Sequence, residues 1–173
     1  MTTTTGGAAN VMSKLEDYLQ TEWPELDVFL TSVTDHYATA SVCGPNAKKI
    51  ISKIFKNLDL SDESFPHMSF KEVKLDNINC RVMRISFTGE ISYEINVEAS
   101  YGKYIWEKCI DAGKEFNITP YGTETMHLLR AEKGFIIVGQ DTDGTMTPVD
   151  LQMDWIISKK KYDFIGKRSL YRS

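Results

Sequence analysis

From Ala8 to about Trp23 the apolar residues fall at helical spacing. Val11, Leu15, Tyr18 and Leu19 share one face while Lys14, Glu16 and Asp17 look away, which predicts an amphipathic helix stopped by Pro24. The pattern then changes to alternation. Leu26, Val28 and Leu30 interleave with Asp27, Phe29 and Thr31, and after a turn at Asp35-His36 the run Tyr37 to Cys43 sets Ala38, Ala40 and Val42 on one side, so the two runs predict an antiparallel hairpin. Gly44-Pro45 opens a second helix with the stripe Ile50, Ile51, Ile54, Phe55 and Leu58.

Phe65 to Asn79 is polar and irregular, with room for one edge strand. Arg81 to Phe87 places Met83, Ile85 and Phe87 on one face, and the tight connection Thr88-Gly89-Glu90 leads into Ile91 to Val97. There Ile91, Tyr93, Ile95 and Val97 alternate strictly with Ser92, Glu94 and Asn96, which predicts a strand with one buried and one polar face and the clearest hairpin of the chain. A third helix spans about Tyr101 to Phe116 with Ile105, Cys109 and Ala112 inward. A fourth spans about Gly122 to Lys133 and ends at Gly134, before a short buried strand at Phe135 to Val138. Helices interleaved with antiparallel hairpins indicate an α+β fold with two sub-modules, residues 1–64 (helix, hairpin, helix) and residues 65–173.

Composition narrows the function. With 173 residues, 42% hydrophobic and 25% charged, the chain has the makeup of a globular domain rather than a disordered segment. It contains no run of 18 apolar residues and opens with Met1-Thr2-Thr3-Thr4-Thr5, without a basic or apolar leader, so no membrane partner and a cytoplasmic location are expected. Three widely spaced cysteines, Cys43, Cys80 and Cys109, predict reduced buried thiols, without a disulfide framework or a zinc site. From Ser158 to Arg172 six cations oppose Asp163 alone, a local +5 in a chain of net −4. The acidic remainder argues against nucleic acid, and the basic end reads as a solvated face. Dinucleotide-binding, P-loop, nucleophile-elbow and zincin motifs do not occur, and Asp141-Thr142-Asp143-Gly144 is too short for a calcium loop, so no metal and no catalytic residue is assigned.

Glu94 is the residue with the most chemical content. A carboxylate on a strand is rigidly aimed, and its two oxygens can accept a bidentate pair from a flat donor edge such as a guanidinium or an amino-pyrimidinone. Half-exposed strands also carry Glu on a solvated face, and the residues by themselves leave both readings open.

Longer motifs bear on the choice. Ser86-Phe87-Thr88-Gly89-Glu90-Ile91-Ser92-Tyr93-Glu94-Ile95 resembles the hairpin motif of the glycine-cleavage aminomethyltransferase (T-protein) family, and Leu129-Arg130-Ala131-Glu132-Lys133-Gly134 resembles its helix end. The segments Thr2 to Val11, Tyr121-Gly122-Thr123-Glu124, Gly139 to Gly144 and Asp163 to Leu170 are similar, more closely, to the aminomethyltransferase-like module of heterotetrameric sarcosine oxidase alpha subunits. The resemblance covers essentially the whole chain.

It implies a folate-binding domain of ferredoxin-like sub-modules, without the terminal barrel of the family, in which Glu94 holds the pterin's amino-pyrimidinone edge and Phe87 lies close to the pterin. Met126 stands where the aminomethyltransferase has an Arg for the folate tail, and Arg130, one turn on, is positioned to offer a substitute charge or a structural ion pair. The implied cofactor is tetrahydrofolate, with flavin and NAD sites on other segments or subunits. The implied partners are folate and the other sarcosine oxidase subunits. The family's catalytic Asp precedes the stretch that matches Met1, so the chain is expected to be an interior piece or shortened version of the module, inactive by itself. An interaction module of the same fold is the alternative, as is a stand-alone demethylase of the T-protein kind, for whose Asp no residue matches.

Overall fold

The computed structural model describes residues 1–171. They form two compact units, one of Met1–Ile85 with Ile91–Thr119 and one of Ser86–Glu90 with the chain from Pro120 on. No helix among the described residues is long and apolar enough to cross a membrane.

In the first unit the order is α1 (Ala8–Thr21), β1 (Tyr37–Cys43), α2 (Ala47–Ile54), β2 (Phe70–Leu75), β3 (Ile78–Met83), β4 (Ser92–Glu98) and α3 (Gly102–Gly113). The strands make one open antiparallel sheet in the order β1-β4-β3-β2, so the fold is α+β with packed helices and no closed barrel. β1 precedes residue 64 and the other strands follow it, so the expected sub-modules 1–64 and 65–173 share this sheet.

Alternation on β4 decides the core. Tyr93, Ile95 and Val97 are fully buried and meet Val82 and Cys80 of β3, Ala40 and Val42 of β1, Ile50 and Ile51 of α2, and Ile105 and Cys109 of α3. A fully buried Ile or Val contributes about 1.5–3 kcal/mol relative to exposure, which makes this face the main stabilising surface of the unit. α3 comes so close to β1 that a Cβ on Gly102 would sit 2.7 Å from Cβ of Ala38. β2 and β3 are joined by Asp76 and Asn77 alone, at φ 46° and 70°, the left-handed pair that a two-residue hairpin of matching twist requires.

Three sequence expectations are corrected. Leu26 to Thr31 is not a strand: Leu26, Val28 and Phe29 are exposed, and β1 pairs with β4 instead. Alternation names a face but not a partner, and β4 offers β1 the apolar face that Leu26 to Thr31 does not. β3 stops at Met83, so Ser86–Glu90 does not form a tight hairpin turn but joins the second unit. Phe135 to Val138 is neither a strand nor buried: Phe135 is 46% and Val138 81% exposed, and local bonds take the place of a ladder. Phe135 N–H donates to Arg130 O, and Gln140 and Asp141 N–H donate to Ile137 O.

The second unit contains α4 (Thr123–Glu132), a 3-10 turn at Asp154–Ile156 and the short α5 (Lys167–Leu170). Gly89, at φ +79°, lies so close to the end of α4 that a Cβ there would be 2.6 Å from Cβ of Lys133. Next to it Lys133 Nζ pairs with Glu90 Oε1 at 2.8 Å. The basic run Lys159, Lys160 and Lys161 is exposed, and Arg172 lies outside the described residues.

Candidate functional site

The face of β4 turned away from the core carries Ser92, Glu94 and Asn96. Register fixes their neighbours: Ser41 and Met83 flank Glu94, and Thr39 and Arg81 flank Asn96. Glu94 is half-buried, and no hydrogen bond or ion pair reaches its carboxylate among the described residues. Burial, with no compensating donor, pushes its carboxyl above the ordinary glutamate range.

Beside it, Thr39 Oγ1 donates to Asn96 Oδ1 at 2.8 Å, and the Asn96 Nδ2 donor has no partner among the described residues and is shut off from solvent. Arg81 donates from Nη2 to Glu72 Oε1 at 2.8 Å and lies 5.8 Å from the Tyr37 ring centre and 5.6 Å from that of Phe70. A cleft of about 510 Å³ opens on this face. Val11, Met12 and Leu15 of α1 wall it with residues of the 29–34 segment, and Thr39, Arg81, Met83 and Asn96 contribute from the sheet. Two of the four same-face sheet neighbours of Glu94, Met83 and Asn96, line this cleft, while Ser41, Ser92 and Glu94 itself are not part of the lining. The arrangement is an apolar slot with room for a flat ring, beside a strand that carries an acceptor, Glu94, and an amide, Asn96, two residues apart on one face.

Phe87, Met126 and Arg130 belong to the second unit, so Glu94 is the one sequence-selected residue on the sheet. The Phe87 ring stacks on His127, with centroids 6.4 Å apart and planes at 29°. Met126, half-buried, precedes His127 on α4. Arg130 is buried and engaged: Nη1 donates to Phe135 O at 3.0 Å and to the Asp141 carboxylate, whose Oδ2 also accepts from Ile137 N–H at 2.7 Å. Its guanidinium therefore serves an internal ion pair.

Sequence reasoning passed over Asn96 and His127. Asn96 was within reach, because the alternation that singled out Glu94 places it on the same face. His127 had no signal, since the stack it makes depends on a loop remote from it in the chain.

No thiol is poised as a nucleophile among those described as buried. Burial raises Cys80 and pushes Cys109 up to about 12, so both stay protonated at neutral pH. No group of three or more His, Cys, Asp or Glu side chains is placed to hold a metal among the described residues.

The GCVT N-terminal domain profile matches residues 1–161. The chain belongs to that family. This GCVT domain is 59% identical over 173 residues to the sarcosine oxidase subunit alpha of Corynebacterium sp. (strain U-96), covering 99% of this chain and 18% of the relative. It is 44% identical over 174 residues to the sarcosine oxidase subunit alpha of Rhizobium meliloti (strain 1021), covering 99% and 17%. The aminomethyltransferase of Thermoanaerobacter sp. (strain X514) is 32% identical over 147 residues, covering 84% of this chain and 39% of that protein. The GCVT domain thus spans less than a fifth of the sarcosine oxidase subunits it matches.

Proposed function

We propose that this GCVT domain is the tetrahydrofolate-binding portion of a sarcosine oxidase alpha subunit. The observation that carries the reading is Glu94: a half-buried carboxylate with no partner among the described residues, on a central strand, next to a cleft with apolar walls. Burial makes the charged form of this carboxylate costly unless something with donors occupies the site. The 2-amino and N3–H groups of a pterin are such donors, arranged in the plane that a carboxylate accepts. In the whole enzyme sarcosine would be oxidised at a flavin held elsewhere, and tetrahydrofolate would take up the one-carbon unit as 5,10-methylene-tetrahydrofolate. This domain's share is positioning: holding the pterin fixes N5 and N10 relative to the reacting carbon, a proximity effect that can be large. Oxidation on this reading takes place elsewhere in the whole enzyme, and the isolated chain does not oxidise.

Calorimetric titration with folinic acid tests the reading. Binding by the wild type and loss of at least tenfold in affinity in Glu94→Gln support it, and equal affinities of the two proteins would sink it.

A second reading, a subunit-contact module that keeps the fold without using the cleft, is favoured by the exposed apolar side chains of the second unit, among them Trp155 at 73%, Tyr162 at 95% and Ile165 at 67%. Light scattering after size exclusion separates the two, because a clean monomer that binds folinic acid leaves the contact reading without support.

A further inference from the structure

Asn96 points to how the site reads its ligand. Its Oδ1 accepts from the Thr39 hydroxyl across the β1 and β4 pairing, and its Nδ2 is a donor without a partner among the described residues. Buried donors are paired in all but a few cases, and an unpaired one beside a cleft is a group that a ligand can satisfy. Asn96 and Glu94 stand two residues apart on one face, about 6.6 Å along the strand. An acceptor and a donor at that spacing complement a ring edge that carries donors and an adjoining acceptor.

We infer that Asn96 Nδ2 donates to the exocyclic 4-oxo oxygen of the pterin whose 2-amino and N3–H groups Glu94 accepts, making Asn96 the residue that selects 4-oxo over 4-amino pterins. The inference rests on the folate reading above. Nδ2 is closed off from solvent, so contact with the oxygen requires the side chains beside Asn96 in the cleft, Arg81 and Met83 among them, to shift when the ligand binds. Thr39 is a positioning residue: its hydroxyl orients the Asn96 amide through Oδ1.

The test compares folic acid with aminopterin, which carries a 4-amino group in place of the 4-oxo, by calorimetry on the full chain. Asn96→Leu removes the donor without adding charge. It lowers folic acid affinity about tenfold and leaves aminopterin affinity nearly unchanged, so aminopterin binding also reports that the variant is folded. Because Glu94 is present throughout, its own contribution to the preference cancels in the ratio. Thr39→Val shifts the ratio in the same direction by a smaller factor, and Asn96→Asp, whose carboxylate accepts from a 4-amino group, shifts it furthest. If Asn96→Leu binds neither compound, the ratios in Thr39→Val and Asn96→Asp decide. Binding of both compounds by the wild type with an unchanged ratio in the variants overturns this inference and leaves the folate reading standing. A wild type that binds neither overturns both.

Discussion

Arg130 on α4 and Asp141, eleven residues further along, form an ion pair that closes the turn between them. Each partner also makes a second bond, which fixes the geometry of the pair. Arg130 donates to Phe135 O, and Asp141 accepts from Ile137 N–H. The Ile137 N–H and the Arg130 guanidinium hold the Asp141 carboxyl below its usual range. A depressed carboxylate contributes stability that is present above its ordinary value, 3.8, and is lost as pH falls through its folded value. Asp141→Asn is therefore expected to melt below the wild type at pH 7, with the gap closing under more acid conditions. Melting curves across that range check it, and a gap that does not depend on pH would contradict the assignment.

Glu94 behaves in the opposite sense. Its folded value is raised by burial, so the stability linked to it is complete below the ordinary value of 4.5 and is lost as pH rises through the folded value. Glu94→Gln should match the wild type at pH 4 and melt above it at pH 7. Folinic acid affinity of the wild type should rise over the same interval as the carboxylate forms, while that of Glu94→Gln stays flat. A melting temperature lowered by the substitution at pH 7 would refute the proposed desolvation.

Tyr93 is fully buried against Phe65, ring centres 5.9 Å apart, and its hydroxyl has no partner among the described residues. Tyr93→Phe keeps the packing and removes the unpaired group, so it is expected to be neutral or stabilising by about 1 kcal/mol. Tyr93→Ala, which empties the site, costs about 3–5 kcal/mol. Urea titrations with a common slope compare the two. A loss above about 1 kcal/mol for Tyr93→Phe would mean that the hydroxyl is satisfied in solution.

Gly89 combines a positive φ with a close approach to Lys133. Gly89→Ala must move the loop or the end of α4, an adjustment of about 1–3 kcal/mol. Hydrogen exchange should show faster opening at Thr88 to Glu90 and around Lys133, while β1 to β4 keep their protection. Unchanged exchange in the loop would count against that contact.

What the sequence disclosed followed from how local each feature is. The 3.6-residue stripes gave α1, α2, α3 and α4 to within a few residues, because a helix satisfies its own backbone and needs only one apolar side. The strict alternation of Tyr93 to Val97 gave the two faces of β4 for a similar reason. Strand partners were less legible: β1 reads as the mate of Leu26 to Thr31 until the competing face of β4 is taken into account. The β2 and β3 hairpin was readable only through Asp76-Asn77, a turn signal whose meaning depends on both flanking strands. At the site, the alternation reached Glu94, but the cleft beside it depends on α1 and the 29–34 segment, far away in the chain, and the ion pair of Arg130 required a loop that no periodicity foretells.

The turn at Asp76-Asn77 and the strand from Ser92 to Glu98 differ in how much change they tolerate. Extra residues at the turn lengthen a surface excursion and leave every side chain on its own side of the sheet. One residue lost from the middle of β4 would send a carboxylate into the interior and a phenol ring outward, destroying folding and recognition in a single event. A change of length at that turn is therefore a local cost, confined to the Asp76-Asn77 geometry and the contacts of Asp76, while a change of length in β4 reaches the whole sheet.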